Sequence, residues 1–419
     1  MTVVDFLPTQ NDASSATYPL PFTGSPFELL WSDIKLFFRV LVYLWGVVVP
    51  IYPYGSGELD ELYPSFDNVK ALILHAILIV SQTFFILTIP FWFLYPLPLN
   101  VLVVYLVMFW MFNGVICRWL NGDGKPLTSR VPMDGWEKRE GEKWVFMNGI
   151  SIGNHWLQSN IDRLAMTFRR EVTGVHNLTA GIIFDIIQCL IERDFCYNTG
   201  DSRQAYHLVK EALRDPANTK VIVILHSQGA IEGALMIDWL LADLPQILFR
   251  KLEVYTFGAA ANHFNNPTLS DVPARSPIRT RRGSLWEEPE KRVIRHIEHY
   301  ANQGDFVARW GVLNFTKGAK YRYNRFAGQL FEYKGATGHL LCQHYLDYMF
   351  AWDKEGMVAE SNAFMDSMMD VERIIADQRE GENALNKMEN GTETVGMKPV
   401  KELSRLWKYR NGMSPVGSG

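Results

Sequence analysis

The sequence predicts an α/β domain built on a mainly parallel sheet and preceded by an N-terminal transmembrane helical hairpin. Short, continuously apolar runs after residue 140 are typical of strands that helices cover on both faces. Upstream, residues 71–93 and 100–117 form two apolar stretches without a charged side chain. These two patterns set the division of the chain into a membrane region and a folded domain.

The composition narrows the class of protein. The 419 residues are 48% hydrophobic and 13% aromatic, which is enough for one large core and a membrane module. The net charge of −4, without a basic cluster, argues against a nucleic-acid partner. The four cysteines lack a disulfide or zinc spacing, which suits a reducing compartment. They are Cys117, Cys189, Cys196 and Cys342.

Each apolar stretch approaches the ~20 residues that cross a hydrocarbon core. We therefore expect spans over about 71–93 and 99–118, joined by a short proline-bearing link. An earlier apolar segment, 36–52, is interrupted by Arg39. Two interpretations of this segment remain open, a third span and an interfacial amphipathic helix.

The basic residues beside the spans predict their orientation. Lys70 precedes the first span, the link carries no lysine or arginine, and five basic residues follow the second span. The positive-inside rule then places both ends of the hairpin, and the domain after it, on the cytosolic side. Spans of about twenty residues are compatible with the thin bilayer of the endoplasmic reticulum.

Ser227 lies in the sequence VIVILHSQGA, between a predicted buried strand over 221–225 and a predicted helix over 230–241. Small residues follow the serine and let such a helix approach the strand closely. A serine at this kind of turn exposes its hydroxyl above the sheet, and the amide of Gln228 points into the same space. This pattern predicts a nucleophile elbow; the alternative is an ordinary turn with a capping serine. Leu225 departs from the usual G-x-S-x-G, where glycine holds its position.

An elbow of this type is followed along the chain by an acid and then a histidine. A predicted strand over 251–258 leads into a loop without a carboxylate. The next predicted strand, over 293–300, is followed by Asp305. A third predicted strand, over 329–334, is followed by a glycine-rich loop that ends at His339. Both side chains would lie past the carboxyl ends of strands, where open α/β sheets build their sites.

These positions suggest chemical roles. Ser227 would attack a carbonyl carbon, and His339 would accept its proton and return it to the leaving group. Asp305 would orient His339 and stabilise its charged form. Another predicted strand, over 144–148, ends before Gly149, so we expect the backbone amides of Ile150 and Gln228 to form an oxyanion hole.

Two other groups compete for roles. His344 lies five residues after His339 in a predicted helix over 339–350, about 140° around its axis, so only one ring can face the serine. We assign His344 to packing or local bonding. His296, Glu298 and His299 lie in a strand-like segment and match no metal spacing, so no metal site is expected.

From about residue 143 to 350, the chain resembles the α/β-hydrolase superfamily, specifically its lipase and esterase branch. The matching motifs are HSQG at 226–229, GDFV at 304–307 and GHL at 338–340. The chain is also similar to membrane-anchored, lipase-like hydrolases of fungi. The resemblance implies cofactor-free hydrolysis of carboxylic esters through an acyl-serine intermediate.

The expected function is therefore a membrane-anchored serine hydrolase that cleaves esters of lipids or other hydrophobic substrates. The alternatives are a catalytically inactive scaffold or binding protein with the same fold, and an acyltransferase that uses the same triad. The sequence does not indicate the oligomeric state or the ester. The expected domains are an N-terminal tail (1–35), the membrane region (36–120), the hydrolase domain (140–356) and a C-terminal tail (357–419).

Two segments outside the motifs carry further expectations. The stretch 266–291, rich in proline, arginine and serine, is either a lid or a disordered surface insertion. In the C-terminal tail we expect a helix over about 364–378 and disorder from about 380.

Overall fold

An eight-stranded sheet forms the centre of the protein. A computed structural model describes residues 3–8, 21–51, 57–269, 292–317, 326–371 and 396–415. The strands of the central sheet are β1 (Val4–Leu7), β2 (Leu127–Thr128), β3 (Glu142–Met147), β4 (Val172–Val175), β5 (Lys220–His226), β6 (Leu252–Phe257), β7 (His296–Asn302) and β8 (Gln329–Tyr333). A separate two-stranded sheet pairs β9 (Met368–Asp370) with β10 (Met397–Pro399).

Helices cover the central sheet and extend from it. The helices are α1 (Pro26–Val40), α2 (Phe66–Leu94), α3 (Leu99–Asn121), α4 (Asn154–Phe168), α5 (Ile182–Phe195), α6 (Gly200–Arg214), α7 (Gly229–Asp243), α8 (Phe306–Trp310), α9 (Val312–Thr316), α10 (Asp347–Met349) and α11 (Val400–Leu403). Short 3-10 turns lie at Pro21–Thr23, Leu41–Val47, Gln246–Lys251 and Leu406–Gly412, and a π-helical turn at Leu341–Leu346.

The strands lie across the sheet in the order β1-β8-β7-β6-β5-β3-β4-β2. Among β3 to β8, the direction in which successive strands are added to this sheet reverses once, after β4. β3 to β8 are parallel, while the edge strands β1 and β2 pair antiparallel with their neighbours. From β3 the chain moves outward to β4 and then returns across β3 to β5. Ligand sites in open α/β sheets form where the order reverses, so the carboxyl ends of β3 and β5 mark the expected site.

Side chains on β5 alternate between two hydrophobic cores. Val221, Val223 and Leu225 pack with one core, and Ile222 and Ile224 pack with the other. Both faces are therefore covered, which explains why the strand is continuously apolar. The predicted α/β class and the five predicted strands are confirmed, with ends that shift by up to three residues.

The two predicted apolar helices are also confirmed, as α2 and α3. Both are long and apolar enough to cross a membrane, and only 28% and 17% of their most apolar windows are buried. Core helices of a soluble protein would be mostly buried, whereas these present apolar side chains outward. The link between them is residues 95–98.

Within the described part of the earlier apolar segment, residues 36–51, there is no third long helix. α1 begins at Pro26, ends at Val40 and is followed by the 3-10 turn Leu41–Val47. Among the described residues only α2 and α3 qualify as candidate membrane spans by length and hydropathy. The carbonyl groups of Gly46 and Val47 accept hydrogen bonds from the amides of Gly338 and His339, at 2.9 and 3.0 Å. Those bonds hold the chain against the sheet domain.

Parts of both terminal segments, which we expected to be tails, pack against the folded domain. β1, in the predicted N-terminal tail, pairs with β8 at one edge of the sheet. At the other end, β9 replaces part of the helix expected over 364–378, while 372–395 lie outside the described residues. The expectation of disorder from about 380 is wrong for 396–415, where Trp407 and Tyr409 are buried.

Two buried carboxylates give the reason for the ordered C-terminal segment. Glu253 on β6 accepts hydrogen bonds from the Arg405 guanidinium at 2.9 Å and from the Tyr409 hydroxyl at 2.9 Å. Glu298 on β7 accepts one from the backbone amide of Arg405 at 2.7 Å. Buried carboxylates require such donors, and the C-terminal segment supplies them.

The stretch 266–291, expected to be either a lid or a disordered surface insertion, lies mostly outside the described residues.

Candidate active site

Ser227 lies on a tight turn between β5 and α7 and has a positive φ of +59°. This left-handed conformation costs a non-glycine residue about 1–3 kcal/mol and persists only where surrounding contacts fix it. Here the Ser227 amide donates to the Phe257 carbonyl, and its own carbonyl accepts from the amides of Ala230 and Ala260, each at 3.1 Å. The geometry agrees with the predicted elbow.

The loop after β3 lies directly against this serine. A Cβ atom added to Gly149 would lie 2.8 Å from Ser227 Oγ, closer than van der Waals contact allows. Only glycine therefore lets the loop approach the hydroxyl without displacing it. The predicted oxyanion residue Ile150 follows Gly149 in this loop, which brings the ends of β3 and β5 together at the reversal point.

Leu225, the departure from the usual elbow motif, is accommodated from the helix side. Its side chain is completely buried, and a Cβ on Gly233 of α7 would come within 2.8 Å of its Cδ2 atom. Because Gly233 has no side chain, α7 can lie close to β5 even though position 225 holds a leucine and not the usual glycine. The leucine fills this space without altering the turn at Ser227.

Asp305 and His339 are in contact, as the order of motifs predicted. Nδ1 of His339 lies 2.7 Å from Oδ2 of Asp305, and the aspartate side chain is completely buried. Nε2 of His339 is buried and has no hydrogen-bond partner among the described residues. A neutral imidazole bonded in this way carries its proton on Nδ1 and leaves the Nε2 lone pair available.

Two further contacts fix the aspartate. The hydroxyl of Tyr345 donates to Oδ2 at 2.6 Å, and the amide of Val307 donates to Oδ1 at 2.8 Å. The second bond is the N-terminal cap of α8. Burial, together with the charge of Asp305, raises the pKa of the Tyr345 phenol well above its usual value, so the hydroxyl stays a donor.

His226 links the serine turn to the histidine loop. Its ring stacks on His339 with centroids 4.7 Å apart, and its Nε2 donates to the carbonyl oxygen of His339 at 2.8 Å. Burial, reinforced by the neighbouring His339, lowers the pKa of His226 well below its usual value. His226 is therefore neutral and acts as a structural contact between the two loops.

The side chains of Asn148 and Gln228 connect both predicted oxyanion loops to the loop after β4. Oδ1 of Asn148 accepts from the amide of Asn177 at 2.8 Å, and Nδ2 of Asn177 donates to Oε1 of Gln228 at 2.7 Å. Asn177 thereby holds the residue after the nucleophile and the loop before Ile150. The Gln228 amide also lies at the start of α7, where the first N–H groups have no partner within the helix.

Buried carboxyl groups lie behind Gln228. Its Nε2 donates to Oε2 of Glu192 at 2.8 Å, and Glu192 lies close to the fully buried Glu232. Burial raises the pKa of Glu192 to about 7 and that of Glu232 well above its usual value. At least one of the two is protonated near neutrality, because two adjacent carboxylates cannot both ionise at low cost.

His344 bonds locally. Its Nδ1 accepts from the amide of Leu340 at 3.0 Å and its Nε2 donates to the carbonyl of Pro50 at 2.8 Å. The predicted helix over 339–350 is wrong at its start, because His339 precedes a π-helical turn that begins at Leu341. Both nitrogens of His344 are occupied, so it does not compete with His339.

Comparisons with protein-family models, with curated proteins and with solved structures find no match for this chain. Any assignment of function therefore depends on the residues and their geometry.

The sequence did not reveal several residues that hold this site. Tyr345 and Glu192 lie in helical segments without any motif, and Asn177 looks only like a glycosylation sequon. No local signal marks them, since each acquires its role from a contact with a distant part of the chain. His226 is different, because its position beside the serine could have identified it.

Proposed function

We propose that this protein is a membrane-anchored serine hydrolase that cleaves carboxylic esters of lipids or other hydrophobic compounds. The observation that carries the proposal is the buried histidine–aspartate pair, whose loop is joined through His226 to the constrained positive-φ turn of Ser227. The expected α/β-hydrolase fold is part of this proposal. It is supported by the parallel strands and by the serine placed after the central strand β5.

The reaction follows from the chemistry of these groups. Oγ of Ser227 attacks the ester carbonyl carbon while Nε2 of His339 takes its proton, and the resulting imidazolium is stabilised by Asp305. The amides of Gln228 and Ile150 donate to the oxygen that becomes negative. The alcohol leaves with the proton from His339, and a water molecule then cleaves the acyl-serine bond by the same route.

The two apolar helices give the proposed membrane anchor. α2 and α3 would cross the bilayer as a hairpin, with the sheet domain on the cytosolic side and endoplasmic reticulum as a compatible membrane. Substrates that partition into the bilayer would then be concentrated near Ser227.

A fluorophosphonate probe tests the proposal, because it forms a covalent bond only with an activated serine. The full-length protein in detergent should be labelled, the Ser227→Ala variant should not, and the control Ser361→Ala variant, at an exposed position, should label like wild type. Wild type left unlabelled by several such probes would contradict the proposal and favour the inactive scaffold. If wild type is labelled, release of acid from a panel of lipid esters would identify the substrate.

A further inference from the structure

An apolar row runs along the outer side of α1 and of the 3-10 turn Leu41–Val47. Its members are separated by three, four or seven positions, so they share one side of the helical segment. The opposite side packs against the sheet domain: Leu36 and Val40 are buried, and the partly buried ring of Phe37 lies 5.3 Å from that of Phe306. The exposed row consists of Phe27, Trp31, Phe38, Val42 and Trp45.

The exposure of this row is unusual for large apolar side chains. Val42 is 73% exposed and Trp45 is 79% exposed. Single exposed apolar residues need no explanation, but a contiguous row of this size marks an interaction surface.

α5 connects the row to the hairpin. At the start of α5, Phe184 contacts Trp110 of α3, with ring centroids 5.6 Å apart. At its end, Phe195 contacts Phe27 of α1, also at 5.6 Å. Between them, Ile187 and Ile191 are exposed at a spacing of four residues.

The exposed apolar surface therefore continues from the hairpin along α5 to α1. A helix of the length of α5 spans about 20 Å, so this is a broad, uninterrupted strip. We call the row on α1 and the 3-10 turn, together with the outer face of α5, the apolar strip.

The charges beside the apolar strip also suit a lipid surface. Lys35 and Arg39 lie exposed among its aromatic residues, and the Nζ atom of Lys35 lies 5.0 Å from the ring centroid of Trp31. Of the two acidic residues of α1, Asp33 is buried in an ion pair with Arg193, which leaves Glu28 exposed. Tryptophan, phenylalanine and basic side chains together are typical of helices that lie in the headgroup layer.

We propose that the bilayer entered by the hairpin also covers the apolar strip, so that the domain lies against the membrane along α5 and α1. Continuity with α2 and α3 argues for lipid, since a second protein would have to share a surface that already borders the bilayer.

This orientation has a consequence that rests on the proposed function. The carbonyl of Val47, at the end of the 3-10 turn, accepts a hydrogen bond from the amide of His339. The membrane contact therefore adjoins the catalytic histidine loop, and the substrates would be esters that reside in the bilayer and reach Ser227 from its surface.

Spin labels on the full-length protein test the proposal. The protein is reconstituted in vesicles of phosphatidylcholine with phosphatidylglycerol, in a Cys196→Ser background because Cys196 is the exposed cysteine of the described chain. Labels are attached to the variants Phe38→Cys and Val42→Cys. The matched control is Ile247→Cys, an equally exposed apolar position near the amino end of β6, and Val104→Cys reports on the hairpin.

Accessibility to oxygen relative to a water-soluble nickel chelate is then measured by electron paramagnetic resonance. We expect ratios at positions 38 and 42 several-fold above the ratio at 247 and approaching that at 104. Ratios at 38 and 42 equal to the control, with 104 in lipid, would overturn the proposal. A water-accessible label at 104 would overturn it too, by removing the bilayer from α3.

Protein partners give different results. If a second copy covers the strip, labels at 38 or 42 broaden each other and sharpen when unlabelled protein is added, which would overturn the proposal. Failure of the probe-labelling experiment would remove the hydrolase assignment but leave these accessibilities unchanged, so the two proposals fail separately.

Discussion

Nε2 of His226 donates a hydrogen bond to the backbone carbonyl of His339 at 2.8 Å, and the two rings stack. The residue before the proposed nucleophile thus fixes the loop that carries the proposed base. Proton transfer requires the base and the nucleophile to lie within hydrogen-bond reach, so in the proposed reaction this contact would help to position His339 toward Ser227.

Replacing His226 by leucine removes the donor and most of the stacking. We expect His226→Leu to lower kcat about tenfold or more with little change in KM, because a small displacement of a base mainly affects the transition state. His226→Gln keeps an amide donor and should recover part of the rate. The exposed His207→Leu variant is the control. An unchanged kcat in His226→Leu would show that the contact does not position His339.

Tyr345→Phe tests the second bond to the aspartate. Loss of a hydrogen bond to a charged acceptor costs about 1.5–3 kcal/mol, so kcat should fall by about one to two orders of magnitude. The Oδ2 atom contacted by Tyr345 is also the one that contacts His339, so the loss should act on the orientation of the histidine. Tyr348→Phe, nearby in α10, serves as the control; equal effects in both variants would argue against a specific role.

Gly149→Ala tests the approach of the proposed oxyanion loop to Ser227. The added Cβ would lie 2.8 Å from Oγ, so we expect at least a hundredfold loss of probe labelling and of ester hydrolysis. Gly200→Ala provides a matched control, because no atom lies within 4 Å of a Cβ at that position. Normal labelling of Gly149→Ala would contradict this geometry.

Leu225→Gly would create the usual motif and distinguishes the enzyme from the inactive scaffold. Removing a buried leucine leaves a cavity beside Gly233, so the free energy of unfolding should fall by about 3–5 kcal/mol. The labelling rate of the folded fraction should stay within a few-fold of wild type, because Leu225 does not hold the serine turn. A large gain in activity would instead mean that the leucine suppresses catalysis.

Glu192 makes stability depend on pH. Its pKa is about 7 in the folded protein against an ordinary value of 4.5, because burial disfavours its charge. The unfolded state then binds fewer protons between these values, so this group lowers the stability as the pH rises. The pKa of Glu253 is lowered, so this group is ionised throughout this range and does not contribute to the fall in stability with rising pH.

The measurement compares melting temperatures of wild type and Glu192→Gln. The melting temperature of the variant minus that of wild type should increase between pH 5 and pH 8. The neutral glutamine avoids a buried charge beside Glu232, Asp185 and Asp201. A difference that does not change with pH would contradict the raised pKa of Glu192.

The sequence by itself determined the α/β class, the two apolar helices and the strand-end positions of Ser227, Asp305 and His339. These features follow from local patterns: apolar runs of strand or span length, a serine among small residues, and glycine-rich loops after strands. The pairing of His339 with Asp305 could be anticipated because parallel strands deliver their carboxyl ends to one edge.

The tertiary structure decided which distant groups hold those residues. Leu225 is tolerated because Gly233 has no side chain to occupy the same space, Asp305 is fixed by Tyr345, and the turn at Gly46 and Val47 is bonded to the His339 loop. Likewise, the C-terminal segment folds because Glu253 needs donors in the core. Each outcome depends on contacts between residues far apart in the chain, and no local pattern encodes such a contact.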